Sequence, residues 1–169
     1  MARPGDGSIR TRKIAILVAA GVIGSSVTAI QAALLGAGAV PKVIAPRLGR
    51  VETADGTALQ ADGSLENSPP VLFDAMVLVD GEDGSERLGQ LGQAMEFVVN
   101  QYRHGKTILA LGASEALLTL AGVPLALPSG DPDPGVIAGI DDVEQATARF
   151  IEAVGKHRHP SREIDPPPV

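Results

Sequence analysis

The chain has 169 residues, which suits a single domain of roughly 100 to 200 residues, and its 44% apolar and 20% charged residues exclude a wholly disordered or collagen-like polymer. Fourteen basic against 20 acidic residues give a net charge of −6, which repels phosphate backbones and anionic lipid, and the 2% aromatic content, namely Phe73, Phe97, Tyr102 and Phe150, offers few platforms for stacking bases. Nucleic acid and membrane are therefore poor partners, and the absence of cysteine excludes disulfides, thiolate nucleophiles and Cys-bound metal.

Residues 1–12, MARPGDGSIRTR, mix Gly, Pro and charge without periodicity and read as a flexible leader or the remnant of a linker. The folded domain is expected over 13–156, with 157–169 as a Pro-rich tail. KIAILVA, from Lys13, is a continuous apolar run rich in Ile and Val, the pattern of a strand buried on both faces of a parallel sheet. Arg10, Arg12 and Lys13 before this run give it the look of a signal peptide. Gly21 and Gly24 interrupt the run, however, and a compact fold needs it as a strand, so a retained segment and a cytoplasmic location are expected. No apolar run is long enough for a spanning helix.

Val27, Ile30 and Leu34 recur at helical spacing until Gly36 and Gly38, and VPKVIAP then reads as a second strand. Turn signals at Ala54-Asp55-Gly56 and Ala61-Asp62-Gly63 predict a small hairpin excursion between Arg47 and Pro70. FDAMVLVDG carries the third buried strand, and Leu88, Leu91, Met95, Val99 and Tyr102 make a helical stripe ending at His104-Gly105. TILALG is the fourth strand, followed by a helix from about Ser114 to Leu120, the loop LPSGDPDPG and the short strand VIAG. Asp141 and Glu144 have the spacing of a capping box, and Val143, Ala146, Phe150 and Val154 give the last helix its buried face. The tail HRHPSREIDPPPV is too rich in Pro for a regular element.

Strands alternating with helices, each strand near-continuously apolar, predict an α/β chain: a flavodoxin-like three-layer α/β/α sandwich with a mainly parallel sheet. In such sheets chemistry gathers in the loops at the carboxyl edge. The first turn offers Gly21, Gly24, Ser25 and Ser26 beside a helix N-terminus, a possible anion cradle that lacks both GxGxxG and the P-loop pattern. Small residues at a tight turn are more often packing and capping. The second turn clusters Asp80, Glu82 and Asp83, which read as an exposed acidic loop, since a hard cation needs several converging oxygens. The third turn, LALGASEALL, has the strand, sharp turn, small residues and helix of a nucleophile elbow. Its elbow position is Gly112, without a side chain, so covalent catalysis has no nucleophile there, although a cysteine placed at 112 is expected to be reactive. Ser114 is expected to cap the following helix, with Glu115 at that helix's positive end. His104 falls at the opposite sheet edge, and His157 and His159 fall in a basic, exposed tail, so none is placed to activate Ser114 or to build a metal site.

The segments RKIAILVAAGV, GAVPKVIAPRLG, TADGTALQADGSL, FDAMVLVDG, KTILALG, DPGVIAG and HRHPSREIDPPPV together resemble, in order, the C-terminal domain of large-subunit haem catalases, over Lys13 to Val169. That domain is similar to the PfpI-type, class I glutamine-amidotransferase-like superfamily. In active members the first turn supplies an acidic residue, the third a nucleophilic Cys, and the loop after the middle strand a Gly-Gly oxyanion element. By position these fall on Ser26, Gly112 and Gly81-Glu82, so the resemblance implies a scaffold that has lost its catalytic apparatus. It also implies no catalytic, cofactor-binding or metal-binding residue in this chain, with haem confined to a catalase core. The expected role is structural and stabilising, with a chaperone-like one beside it, linked to hydrogen peroxide detoxification. The expected partners are a catalase core domain or a second copy of the chain, and unfolded clients for the chaperone-like role. The rival reading is a residual PfpI-type hydrolase or amidotransferase-like enzyme.

Overall fold

The computed structural model describes residues 7–156 and 158–164. Lys13–Leu17 (β1) lies at the centre of a six-stranded sheet because its side chains are apolar toward both faces: Ile14 and Ile16 point to one core, Ala15 and Leu17 to the other. Val40–Ala45 (β2) flanks it on one side, pairing Lys13 with Val40 through Leu17 with Ile44, and Ala75–Leu78 (β6) on the other. Thr107–Ala110 (β7) and Val136–Ile137 (β8) extend the sheet beyond β6, all in parallel.

Gly24–Gly36 (α1) and Val143–Gly155 (α5) cover one face. Val27, Ile30 and Leu34 meet Ala146, Phe150 and Val154 there over Ile14, Ile16, Val43, Val77 and Leu109. Glu82–Gly89 (α2), Gly92–Arg103 (α3) and Glu115–Leu120 (α4) cover the other, where Leu88, Phe97, Val98, Tyr102, Leu117 and Leu118 pack on Leu17, Met76, Leu78 and Ile108. This is the expected three-layer sandwich.

The structure corrects the sequence reading in several places. The stripe from Leu88 to Tyr102 is two helices, broken at Gly89–Gly92, and the reorientation moves the buried face of α3 to Ala94, Phe97, Val98, Gln101 and Tyr102. Leu91, Met95 and Val99 are only half-buried. The cap of α5 is Asp142, not Asp141: its carboxylate accepts from the Glu144 N–H at 2.9 Å and the Gln145 N–H at 3.2 Å. The excursion does form a hairpin, Gly49–Arg50 (β3) against Gln60–Ala61 (β4), but Gly63–Ser64 (β5) then leaves it to join the main sheet beside β2.

The packed chain also extends past both expected ends. Ile9 is buried, and the Thr11 N–H donates to the Gly38 carbonyl at 2.9 Å, so residues just before Lys13 belong to the fold. In the tail, Ser161–Ile164 (α6) is helical, and His159 and Arg162 are buried rather than part of an exposed basic segment.

Candidate functional site

The order of the sheet puts its crossover point between β1 and β6, where the chain leaves in opposite directions and an α/β crevice would open. Here the crevice is closed by glycines. Gly81, at φ +125°, packs so tightly that a Cβ would stand 2.7 Å from the Gly21 carbonyl oxygen, and one on Gly84 would stand 2.8 Å from the Val22 nitrogen. Backbone thus meets backbone across the first and second turns, an approach only glycine allows. The Ile23 N–H donates to the Asp80 carbonyl at 3.0 Å and adds to the seal.

The excursion covers this edge from above. The Gly21 N–H donates to the Glu52 carbonyl and the Ala54 N–H to the Val22 carbonyl, both at 2.8 Å. Asp55 then fills the anion cradle expected at Gly24, Ser25 and Ser26: its carboxylate accepts from the Gly24 N–H at 3.1 Å and the Ser25 N–H at 2.9 Å. The Ser25 N–H is the main reason its carboxyl is held well below the ordinary range. Two of the free donors of α1 are thus satisfied by the chain's own carboxylate. Ser26 is buried in the first turn of that helix.

At the third turn Gly112 adopts φ +53°, the left-handed conformation expected of an elbow. A Cβ there would stand 3.1 Å from the Asp80 Cβ, so the side chain of Asp80 borders the position. A thiol placed there would lie between the Asp80 side chain and the N–H groups of the turn, which act on its ionisation in opposite senses. Ser114 stands at the N-cap position of α4, but its side chain makes no capping bond there. Its hydroxyl, wholly buried, accepts the Leu111 N–H at 2.9 Å and lies 2.9 Å from the Leu78 carbonyl and 2.7 Å from that of Leu111, fastening the ends of β6 and β7 together. Glu115 reaches away from the elbow, and its Oε1 accepts the Gly139 N–H at 2.6 Å. Glu82 and Asp83 are exposed on the first turn of α2.

His104 and His159 stand at the other edge. His104 ends α3, exposed, and His157 lies outside the described residues. His159 Nε2 is 2.7 Å from the Thr107 Oγ1, at the start of β7. Beside it lies a cluster that the sequence reading missed. Arg162 Nε donates to Asp133 Oδ2 at 2.7 Å, and its Nη1 donates to the carbonyls of Tyr102 and Lys106 at 3.0 and 2.9 Å. The guanidinium lies 4.4 Å from the centre of the Tyr102 ring. Asp133 Oδ1 accepts the Gly135 N–H at 2.8 Å. Burial first, and Arg162 next, push the His159 imidazole down to about 4, with Asp133 opposing them. No spacing motif links Asp133 to Arg162, 29 residues apart; only packing the tail against the Pro-rich loop does so.

Among the described residues the candidate ligands do not fit haem: Tyr102 is buried beneath Arg162 and His159 is engaged by Thr107, so neither stands free to bind iron. Among the described residues no group of three or more His, Asp or Glu is placed to hold a metal ion, and no helix is long and apolar enough to cross a membrane.

The three-layer fold is one that the chain shares with solved structures of DJ-1 type. Oxidised DJ-1 from Toxoplasma gondii superposes with a TM-score of 0.69 at 18% identity, over 93% of this chain and 100% of that one. The VC2308 protein superposes with a TM-score of 0.70 at 19% identity, over 94% and 95%. Identities this low establish the fold alone. The model of the C-terminal domain found in long catalases matches residues 10–163, and the chain belongs to that family. It is 36% identical over 163 residues to Catalase HPII of Pseudomonas aeruginosa, covering 94% of this chain and 21% of that protein. Catalase C of Rhizobium meliloti is 34% identical over 152 residues, with 90% and 21% covered. The chain therefore spans about a fifth of the length of these relatives.

Proposed function

We propose that the chain is a non-catalytic domain that stabilises a haem catalase by packing against its core, in the service of hydrogen peroxide removal. The observation that carries this reading is Gly112: the elbow conformation is kept while its side chain is absent. Ser26 and the Gly81-Glu82 pair are then the remnants of the acid and oxyanion positions, with glycine packing and Asp55 where a substrate would enter. In this reading haem belongs to the core, outside the 21% of the Pseudomonas aeruginosa relative that the chain covers.

The test joins the chain to a catalase core and compares it with the core alone. The expected result is slower thermal inactivation at unchanged kcat, and no oxygen evolution from peroxide by the isolated chain incubated with haem. Equal inactivation rates, or haem-dependent activity of the isolated chain that Tyr102→Phe abolishes, would overturn the proposal. A hydrolysis lost in Ser114→Ala would favour the residual hydrolase instead. The cytoplasmic placement rests on β1: removing the strand at the centre of the sheet would strip several buried side chains at about 1.5 to 3 kcal/mol each. An intact mass from the native host showing cleavage near Ala29 would end that placement.

A further inference from the structure

The amino edge of the sheet, where the strands begin, lies opposite the elbow and gathers cations. Arg10 stands beside Gly38, whose Cβ would meet its Cγ at 2.9 Å, and Lys13 opens β1. Arg103 ends α3, and Lys156 follows the last turn of α5. Arg158 lies beside Gly105, where the His159 N–H donates to the Gly105 carbonyl at 2.9 Å. All five are exposed, and none makes an ion pair among the described residues. In a chain of net charge −6, this edge has the opposite sign to the whole. Helix dipoles account for Arg103 and Lys156, but Arg10, Lys13 and Arg158 lie outside helices. Asp55, Asp80, Glu82, Asp83 and Asp142 stand at the carboxyl edge instead. On the amino edge Asp74 is engaged by the Lys13 N–H at 2.8 Å and by Arg12 at 4.0 Å, and Glu152 stands one turn before Lys156.

Apolar surface lies among these cations. Leu35 in the last turn of α1, and Val71 and Leu72 in the 3₁₀ turn Pro70–Leu72, each keep more than half of their surface exposed. They flank the point where the chain enters the sheet. The Val40 N–H donates to the Arg12 carbonyl at 2.7 Å and the Asp74 N–H to the Lys13 carbonyl at 2.8 Å, so the starts of β2 and β6, just after these residues, stand on either side of it. Gly7 packs against Gly155 at the end of α5. The family is the C-terminal domain of long catalases, so the rest of such a protein lies upstream and reaches the domain through the segment that leads into β1 at this edge. An apolar centre with a charged rim, beside the entry of the polypeptide, is the anatomy of an interface.

We propose that the amino edge is the face that docks on a catalase core, against a patch of that core rich in Asp and Glu. The inference rests on the stabilising role proposed above and names the surface through which it acts. Leu35, Val71 and Leu72 are covered at the centre, and the five cations meet carboxylates around them. The Gly112 turn faces away from the contact. A phosphate backbone would engage the cations and leave the apolar centre uncovered. A second copy would have to bring its acidic carboxyl edge to this one, a head-to-tail contact that repeats from copy to copy instead of closing as a symmetric pair.

The test compares amide hydrogen exchange in the chain joined to a catalase core with exchange in the isolated chain, alongside the half-life of thermal inactivation. Slower exchange is expected at residues 34–40, 69–74 and 103–106 of the joined protein, with no change at 80–86 or 112–118. Arg103→Glu with Arg158→Glu should leave the melting midpoint of the isolated chain in place, since both side chains are exposed and unpaired, yet abolish that protection and most of the gain in half-life. Val71→Gln should weaken both effects, and Leu48→Gln, exposed beyond the other end of β2, should weaken neither. A longer half-life with protection centred on the carboxyl edge, or protection untouched by the charge reversal, would overturn the docking face and leave the stabilising role standing. Protection of the amino edge without a longer half-life would overturn that role and leave the docking face standing. Binding of the isolated chain to duplex DNA or to phosphatidylserine vesicles, or its self-association, lost on the same charge reversal, would give the edge to that partner and overturn the proposal.

Discussion

Arg162→Met removes the cation from the cluster that holds the tail against β7 and β8. The side chains of Arg162 and Asp133 are 5% and 0% exposed, so the variant leaves a carboxylate in the interior with only the Gly135 N–H as partner. It also strips the guanidinium donors from the carbonyls of Tyr102 and Lys106 and leaves the face of the Tyr102 ring bare. Breaking a buried pair from one side costs about 3 to 5 kcal/mol, against total stabilities of about 5 to 15 for domains of this kind. At about 2 to 4 °C per kcal/mol, the melting midpoint should fall by roughly 10 °C. Urea unfolding followed by circular dichroism gives the free energy, and calorimetry gives the midpoint. Asp133→Asn should cost a similar amount, and the double variant should cost less than the sum by more than about 1 kcal/mol, because the two side chains share one bond. A loss below about 1 kcal/mol in Arg162→Met is what an exposed pair gives, and that result would refute the seating of the tail.

Three further outcomes can be checked alongside. His159 is buried neutral at about 4, below its ordinary 6.5, so the unfolded chain takes up the proton first as the pH falls. The part of the stability that comes from neutral His159 should decline between about 6.5 and about 4 and then level off; His159→Gln should flatten that part of the profile, and an unchanged slope would contradict it. Gly112→Cys should destabilise by about 1 to 3 kcal/mol through its left-handed backbone, and its thiol should react with iodoacetamide more slowly than in the Asp80→Asn background, with equal rates counting against the contact between the two positions. Asp55→Ala should lower the melting midpoint at neutral pH, and because the folded carboxyl is depressed, the difference from the unaltered chain should shrink as the pH falls below the ordinary value of 3.8; a pH-independent difference would mean the carboxylate does not cap α1.

Hydrophobic patterning carried the sequence to the layered sheet: the short apolar runs at Ile14–Leu17, Ala75–Leu78 and Ile108–Ala110, rich in Ile, Val and Leu and alternating with helical stripes, have the pattern of parallel strands covered on both faces by crossover helices. The missing side chain at Gly112 was equally legible, since an absent nucleophile needs no coordinates to be noticed. What lay beyond the sequence was every relation between residues far apart along the chain. Asp55 on the N-terminus of α1, Gly81 against Gly21, Ser114 turned back toward β6, and Arg162 on Asp133 all depend on where loops of no fixed period come to rest. Local propensity describes a residue and its neighbours on one element. Whether a carboxylate ends as an exposed loop charge or as the buried partner of an arginine is decided by desolvation, which exists only once the layers have packed.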